Sequence, residues 1–240
     1  MISKLPKTLR SYRMVGVLVV TLFVGLMLYG ILGATSEKHQ GDVYRILYIH
    51  VSSALTSFLL SFLLMAQGIW NIRQPKSSLI FLGKAICEVA FLFTCITLLT
   101  GSLWGRPTWG VWWTWDARLT TTFLLALLQV AYLLIWSSLE RTDSRVRVCA
   151  TLSILIAVDI PIIYKSVSWW RTLHQPPSLF RSDGATMAPE IAGLLYLCII
   201  STIALSLWLV AWRYYLLNRE DELQRLFFNT FKTPPNVQPQ

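Results

Sequence analysis

The sequence predicts an all-α integral membrane protein: a bundle of six membrane-spanning helices with tryptophan-rich loops on one side. Three observations predict it. Of 240 residues, 55% are hydrophobic, and they come in blocks instead of alternating with charges as in a soluble domain. Each block is long enough to cross a bilayer as helix, which takes about 20 residues. Basic residues gather in alternate connections, as they do in cytoplasmic loops.

The blocks run over roughly 14–34, 46–70, 79–103, 119–138, 147–166 and 190–213. Backbone N–H and C=O groups find no water in lipid, so each block is read as a helix. The first is longer than the apolar core of a secretory signal and no small-x-small site follows it, so an uncleaved helix is expected. Short connections at 71–78, with its Gln-Pro turn signal, and at 139–146, with mixed charges, imply antiparallel neighbours. The connections 104–118 and 167–189 are longer and aromatic. Beyond Arg213 the chain turns charged (NREDELQR) and then polar with prolines. We therefore divide it into a membrane domain at 1–213 and a cytoplasmic tail at 214–240, read as a short helix followed by disorder. No internal repeat is visible.

A net charge of +9 would suggest nucleic acid in a soluble protein. Here no basic folded domain exists and the charges lie between apolar blocks, so the lipid bilayer is the expected partner and nucleic acid is not. One set of segments carries Lys4, Lys7, Arg10, Arg13, Arg73, Lys76, Arg141, Arg145, Arg147, Arg213, Arg219, Arg225 and Lys232; the other carries Lys38, Arg45, Arg106, Arg118, Arg171 and Arg181. Lys84 and Lys165 sit near helix ends, where lysine snorkels. Both termini are thus expected inside, with the loops near 35–45, 104–118 and 167–189 outside. Cys87, Cys95, Cys149 and Cys198 lie in or beside apolar blocks and form no CxxC pair, so they read as buried thiols.

The stretch WGRPTWGVWWTWDARLT (104–120) holds five tryptophans, Trp104, Trp109, Trp112, Trp113 and Trp115, punctuated by Gly105, Pro107 and Gly110. An interfacial aromatic belt explains tryptophans in many membrane proteins, and it suits Trp70, Trp136, Trp208 and Trp212 towards the inner helix ends. The outer set, which also includes Trp169 and Trp170, is crowded onto one side in two loops. By pattern alone it is either an anchor or a platform for a large flat apolar ligand.

Three histidines occur. His39 lies in a polar loop (TSEKHQGD) and reads as a solvated residue. His50 stands near the outer end of the second helix, with Ser53, Ala54, Ser57 and Ser61 following on its face. That stripe of small residues suits either a neighbouring helix or a flat cofactor. His174 closes SVSWWRTLHQPP, a segment too polar to span, expected along the interface. Trp170 shares its face if the segment is helical. Neutral imidazoles are good axial ligands for haem iron, and two would hold it from opposite faces. Arg45, Arg118 and Arg171 offer cations for propionates.

At this point the residues resemble a known family. WGRPTWGVWWTWDARLT is similar to the "WWD" signature of the haem-handling proteins of cytochrome c maturation, and IPIIYKSVSWWRTLHQ to their second block, which ends in a ligand histidine. Six spans and a histidine on each side of the signature fit a member of that family. The resemblance implies His50 and His174 as metal ligands to haem b, carried as transient cargo. It implies a periplasmic platform at Trp104, Trp109, Trp112, Trp113, Trp115 and Asp116, with Trp169, Trp170 and Arg118 nearby. It also implies the bacterial inner membrane, delivery of haem to the chaperone CcmE, the small membrane protein CcmD as an assistant, and the ABC components CcmA and CcmB. One departure stands out: members often read His-Val-Pro, whereas this chain reads His50-Val51-Ser52, without the proline that would fix the backbone there.

Glu88 and Asp159 fall inside predicted spans, where acids are costly. Glu88 lies about 13 Å along its helix from the inner end, one turn from Lys84. Polar pairing between helices is the expectation for both acids, contact with a partner subunit the alternative. Asp116, two residues before Arg118, is expected to order the tryptophan loop by pairing with an arginine, capping the fourth helix or accepting an indole N–H. Beside haem binding and delivery without catalysis stand two other functions: a haem–cytochrome c synthetase-like enzyme, whose relatives are larger and richer in histidine, and a transmembrane haem transporter. No GxxxxGK[ST] motif occurs.

Overall fold

The computed structural model describes residues 7–74, 79–139, 143–176, 178–179 and 186–232. Lys4, Lys76, Arg141 and Arg181 of the charge pattern, parts of the connections around them, and residues 233–240 of the expected disordered tail lie outside the described residues.

Six long helices account for the fold. They are α1 (Lys7–Leu28), α2 (Ile46–Arg73), α3 (Ile80–Trp109), α4 (Ala117–Ser138), α5 (Asp143–Trp169) and α6 (Pro189–Lys232). Each is long and apolar enough to cross a membrane, and no strand occurs among the described residues. The chain is a multi-pass helical membrane protein, as its sequence predicts. A single π turn, Tyr29–Gly33, ends α1. A 3₁₀ turn, Asp42–Arg45, leads into α2.

Helices α3, α5 and α6 are among those that overrun the apolar blocks. α3 continues past residue 103 to Trp109, so Trp104 and Trp109 stand on its last turns and not in a loop. Pro107 does not break it: so close to the end, the missing N–H forfeits only one bond to the Leu103 carbonyl. Gly110 stops the helix, at φ +80° with its N–H on the Arg106 carbonyl at 3.0 Å. α5 likewise runs through Pro161 to Trp169, and only residues beyond 169 leave the helix. The helical face shared by Trp170 and His174 is therefore absent. α6 passes Arg213 without a break.

In lipid, apolar surface gives helices little reason to associate, so close packing and polar contacts must supply it. α2 and α3 form the centre: both touch α6, α2 also touches α5, and α3 touches α4. Leu60, Leu64, Ala85, Ala90, Leu125 and Ile156 are fully buried between α2, α3, α4 and α5. A second cluster with Met27, Tyr48, Leu195 and Cys198 joins α1 and α6 to α2. A Cβ on Gly68 would collide with Ser153 and come within 3.2 Å of the Ala150 Cα, so glycine permits the close α2–α5 approach. By contrast α1 presents an apolar outer face, with Leu18 70% exposed, as lipid contact allows.

The small residues of α2 mostly serve this packing. Ser57 and Thr94 hydroxyls lie 2.6 Å apart across α2 and α3, Ser61 donates to the Ser57 carbonyl at 2.8 Å, and Gln129 of α4 donates to Ser61 at 3.4 Å. The bonds between helices contribute about 0.6 kcal/mol each on average in membrane proteins. Of that stripe only Ala54 borders the cavity described below.

The two buried acids differ. Glu88 binds Arg213 of α6 through both oxygens, at 2.5 and 3.1 Å, with Lys84 at 3.9 Å. This is the expected interhelical pairing, with an arginine the sequence reading did not identify. Asp159 is 4% exposed, and its Oδ2 has no hydrogen-bond partner among the described residues, so the pairing expected for that oxygen is not found. The four cysteines are free thiols, Cys95 half-buried and the others buried.

Candidate functional site

At the end of the bundle where α2 and α4 begin and α3 and α5 finish, the helices enclose a cavity. α2 contributes His50, Ala54 and Phe58; α3 contributes Thr97, Gly101, Trp104 and Trp109. Trp113 follows α3, Arg118 and Thr122 come from α4, and His174 from the segment after α5. A continuation past Tyr44 and Tyr164 shares His50, Trp104, Arg118 and His174.

His50 sits in the second turn of α2. Its Nδ1 lies 3.0 Å from Thr100 Oγ1 on α3. Its ring meets the Trp104 indole edge-to-face, centroids 5.7 Å apart. A Cβ on Gly101 would stand 3.1 Å from the imidazole Cε1, so the glycine makes room for the ring. Trp104 is held in turn by the loop before α2. Its Nε1 donates to Gln40 Oε1 at 2.8 Å, and its ring packs edge-on to Tyr44 at 5.8 Å. Gln40 is placed by a turn: Glu37 accepts the N–H groups of His39 and Gln40, each at 2.7 Å, and Gly41 adopts φ +60°. His39 itself is exposed, as expected.

His174 lies in non-helical chain, and Asp116 holds that chain. Asp116 Oδ1 caps α4 by accepting the Leu119 N–H at 3.0 Å. Its Oδ2 accepts from Thr172 Oγ1 at 2.9 Å and from the Leu173 N–H at 3.3 Å. The His174 N–H donates to Thr172 Oγ1 at 3.1 Å, and His174 Nδ1 lies 2.8 Å from the Gln175 carbonyl. One carboxylate thus joins the start of α4 to the His174 segment. Burial, and then the Arg118 cation, lower the His174 pKa to about 4, so its imidazole is neutral at physiological pH. Trp109 packs near the ring, centroids 6.1 Å apart.

Two donors in the cavity wall are left over. Arg118 Nη1 and Trp113 Nε1 are buried with no hydrogen-bond partner among the described residues. An unmet buried donor costs about 1–3 kcal/mol, and more when charged. Arg45 and Arg171, the other cations considered, do not line the cavity: Arg45 pairs with Asp42 at 3.2 Å, and Arg171 is exposed.

The structure therefore brings together His50, His174, Trp104, Trp109, Trp113 and Arg118. It places the remaining predicted site residues elsewhere. Trp112 is 57% and Trp115 74% exposed, Trp169 and Trp170 are also exposed, and none of the four lines the cavity. Adjacent indoles point different ways: Trp113 turns inward and Trp112 outward. Asp116 is a structural tie and not part of the wall. Thr100, Gly101, Gln40 and Thr172 were missed. Gly101 lies three residues before Trp104, on one helical face, a relation visible only once α3 is extended through the tryptophans.

The chain matches the family described as Heme exporter protein C over residues 3–226. It is 34% identical over 207 residues to the "Heme exporter protein C" of Haemophilus influenzae, covering 84% of this chain and 82% of that protein. It is 36% identical over 191 residues to the Escherichia coli K12 protein of the same name, covering 77% of each. Over 146 residues it is 35% identical to a "Putative cytochrome c biosynthesis ccmC-like mitochondrial protein" of Marchantia polymorpha, covering 61% of each. A match across nearly the whole sequence, on a six-helix membrane bundle, shows that the chain belongs to the Heme exporter protein C (CcmC) family.

Proposed function

We propose that this protein binds haem b as transient cargo at the periplasmic face of the bacterial inner membrane and delivers it to the chaperone CcmE for cytochrome c maturation. CcmD assists it, and CcmA and CcmB form the associated ABC complex. Both termini face the cytoplasm. The observation that carries the reading is the pairing of two histidines in one tryptophan-walled cavity with Arg118, whose buried Nη1 has no hydrogen-bond partner among the described residues.

Each component fits haem. The porphyrin supplies four nitrogens to its iron, so the protein need add only axial ligands. Among the described residues no group of three metal-binding side chains occurs; two imidazoles suffice here. Trp104, Trp109 and Trp113 supply apolar walls for the ring. The free Arg118 Nη1 suits a propionate through a charge-assisted bond, and the Trp113 N–H is a second donor. Bonds to iron and propionates hold and orient the cargo; the chain's residues perform no covalent step on it, which is why we read it as a carrier and not an enzyme. Trp112 and Trp115 are exposed next to the wall residue Trp113, with Trp115 packing edge-on to its indole at 5.6 Å, and would offer an arriving chaperone a surface there. Transport through the bundle has less support: Glu88, one of two acids that could have marked a midplane path, is engaged by Arg213.

Covalent loading of CcmE with haem, measured in cells with Trp112 and Trp115 both changed to alanine, tests the delivery step. Loading should fall while haem bound to the purified variant stays at the wild-type level. Undiminished loading would contradict a docking role for the outer tryptophans.

A further inference from the structure

A neutral histidine carries one ring proton, and only its bare nitrogen can bind iron. Which nitrogen is bare depends on what the other one touches. For His50 the side-chain neighbour at Nδ1 is Thr100, beside the Thr97 backbone carbonyl, which can only accept, and Thr100 has a single hydroxyl proton. Its Oγ1 lies 2.6 Å from the Ile96 carbonyl one turn back on α3. A carbonyl only accepts, so at that distance the hydroxyl proton is committed to Ile96, the usual back-bond of a helical threonine. What Thr100 offers His50, at 3.0 Å, is therefore a lone pair. Nδ1 must donate, and Nε2 must be bare.

We infer that Thr100 is a positioning residue that keeps the His50 ring proton on Nδ1 and so leaves Nε2 available as the iron ligand. The inference rests on the haem-ligation reading for its purpose, but the tautomer itself does not. The other histidine reaches the same state differently. His174 Nδ1 faces the Gln175 backbone carbonyl at 2.8 Å, which again can only accept. Both histidines thus present Nε2, one set by a side chain and one by main chain. Gly101 completes the His50 arrangement, because a larger residue would crowd the ring against which Thr100 is aligned.

The test uses the full-length protein with ¹⁵N-labelled histidine, in detergent and free of haem, comparing wild type with Thr100→Val and Thr100→Ser. Protonated and bare ring nitrogens have well-separated ¹⁵N shifts, and the three histidines are assigned with His39→Gln and His50→Gln. Wild type and Thr100→Ser should show His50 protonated on Nδ1. Thr100→Val should shift it towards the Nε2-protonated form and leave His174 unchanged. A second arm titrates each protein with ferric haem: Thr100→Val should bind about tenfold more weakly, with Thr100→Ser close to wild type. An Nε2-protonated His50 in the wild type, or an unaltered tautomer in Thr100→Val, would overturn the assignment. If the wild type took up no haem, the proposed function would fall, while the nitrogen shifts would still decide the role of Thr100.

Discussion

The two histidines of the site are held in opposite ways. His50 stands on a rigid helix and is adjusted by side chains of the neighbouring helix: Thr100 at its nitrogen, Gly101 beneath its ring, Trp104 against its edge. His174 lies in chain without regular structure and depends on one carboxylate, Asp116, anchored to the start of α4. A ligand on a helix moves only with the bundle. A ligand on a tethered segment moves whenever the tether opens, and local opening costs far less than global unfolding. Under the proposed haem ligation, the difference would give the site one fixed and one releasable ligand, as a carrier that surrenders its cargo would need.

The comparison breaks most severely at the tether. Asp116→Ala removes the α4 cap, about 0.5–2 kcal/mol, together with both bonds to the His174 segment. Haem affinity should fall to nearly that of His174→Ala, with helical content by circular dichroism unchanged; a wild-type affinity would show that the segment is held by something else. On the His50 side the disturbance should be smaller. Gly101→Ala places a methyl group 3.1 Å from the ring, and rings can yield by a few tenths of an ångström. The expected loss is several-fold, equivalent to about 1 kcal/mol, read by haem titration. Smallest is Gln40→Ala, which frees the Trp104 N–H and costs about 1 kcal/mol or less in a partly exposed setting. A quenching or shift of tryptophan fluorescence should report it, with His50 ligation preserved.

Much of this was legible in the sequence, for physical reasons that also explain the rest. Six blocks of apolar residues announce six spans because lipid tolerates little else. The tryptophans and histidines concentrate at one end strongly enough to point to a site. The helix ends at Trp109 and Trp169 were not legible, because apolar composition marks the edge of the membrane and not the end of a helix. α3 stops where Gly110 supplies a positive φ, six residues beyond the apolar block. Extending α3 put Trp104 and Trp109 on a rigid helix, where Trp104 joins Gly101 and Thr100 around the His50 ring. The Asp116 tie is also invisible in one dimension: Thr172 is 56 residues away, and nothing local distinguishes an aspartate that caps a helix from one that also holds a distant segment. The pairing of Glu88 with Arg213 crosses 125 residues and was hidden for the same reason, behind the nearer Lys84.

The central claim is that His50 and His174 jointly hold haem. The most direct measurement is the absorption spectrum of the detergent-purified protein from haem-replete cells, beside His50→Ala and His174→Ala. The wild type should show a Soret band that weakens or shifts in both variants. Three identical spectra, or no haem in any of the three proteins, would contradict the claim.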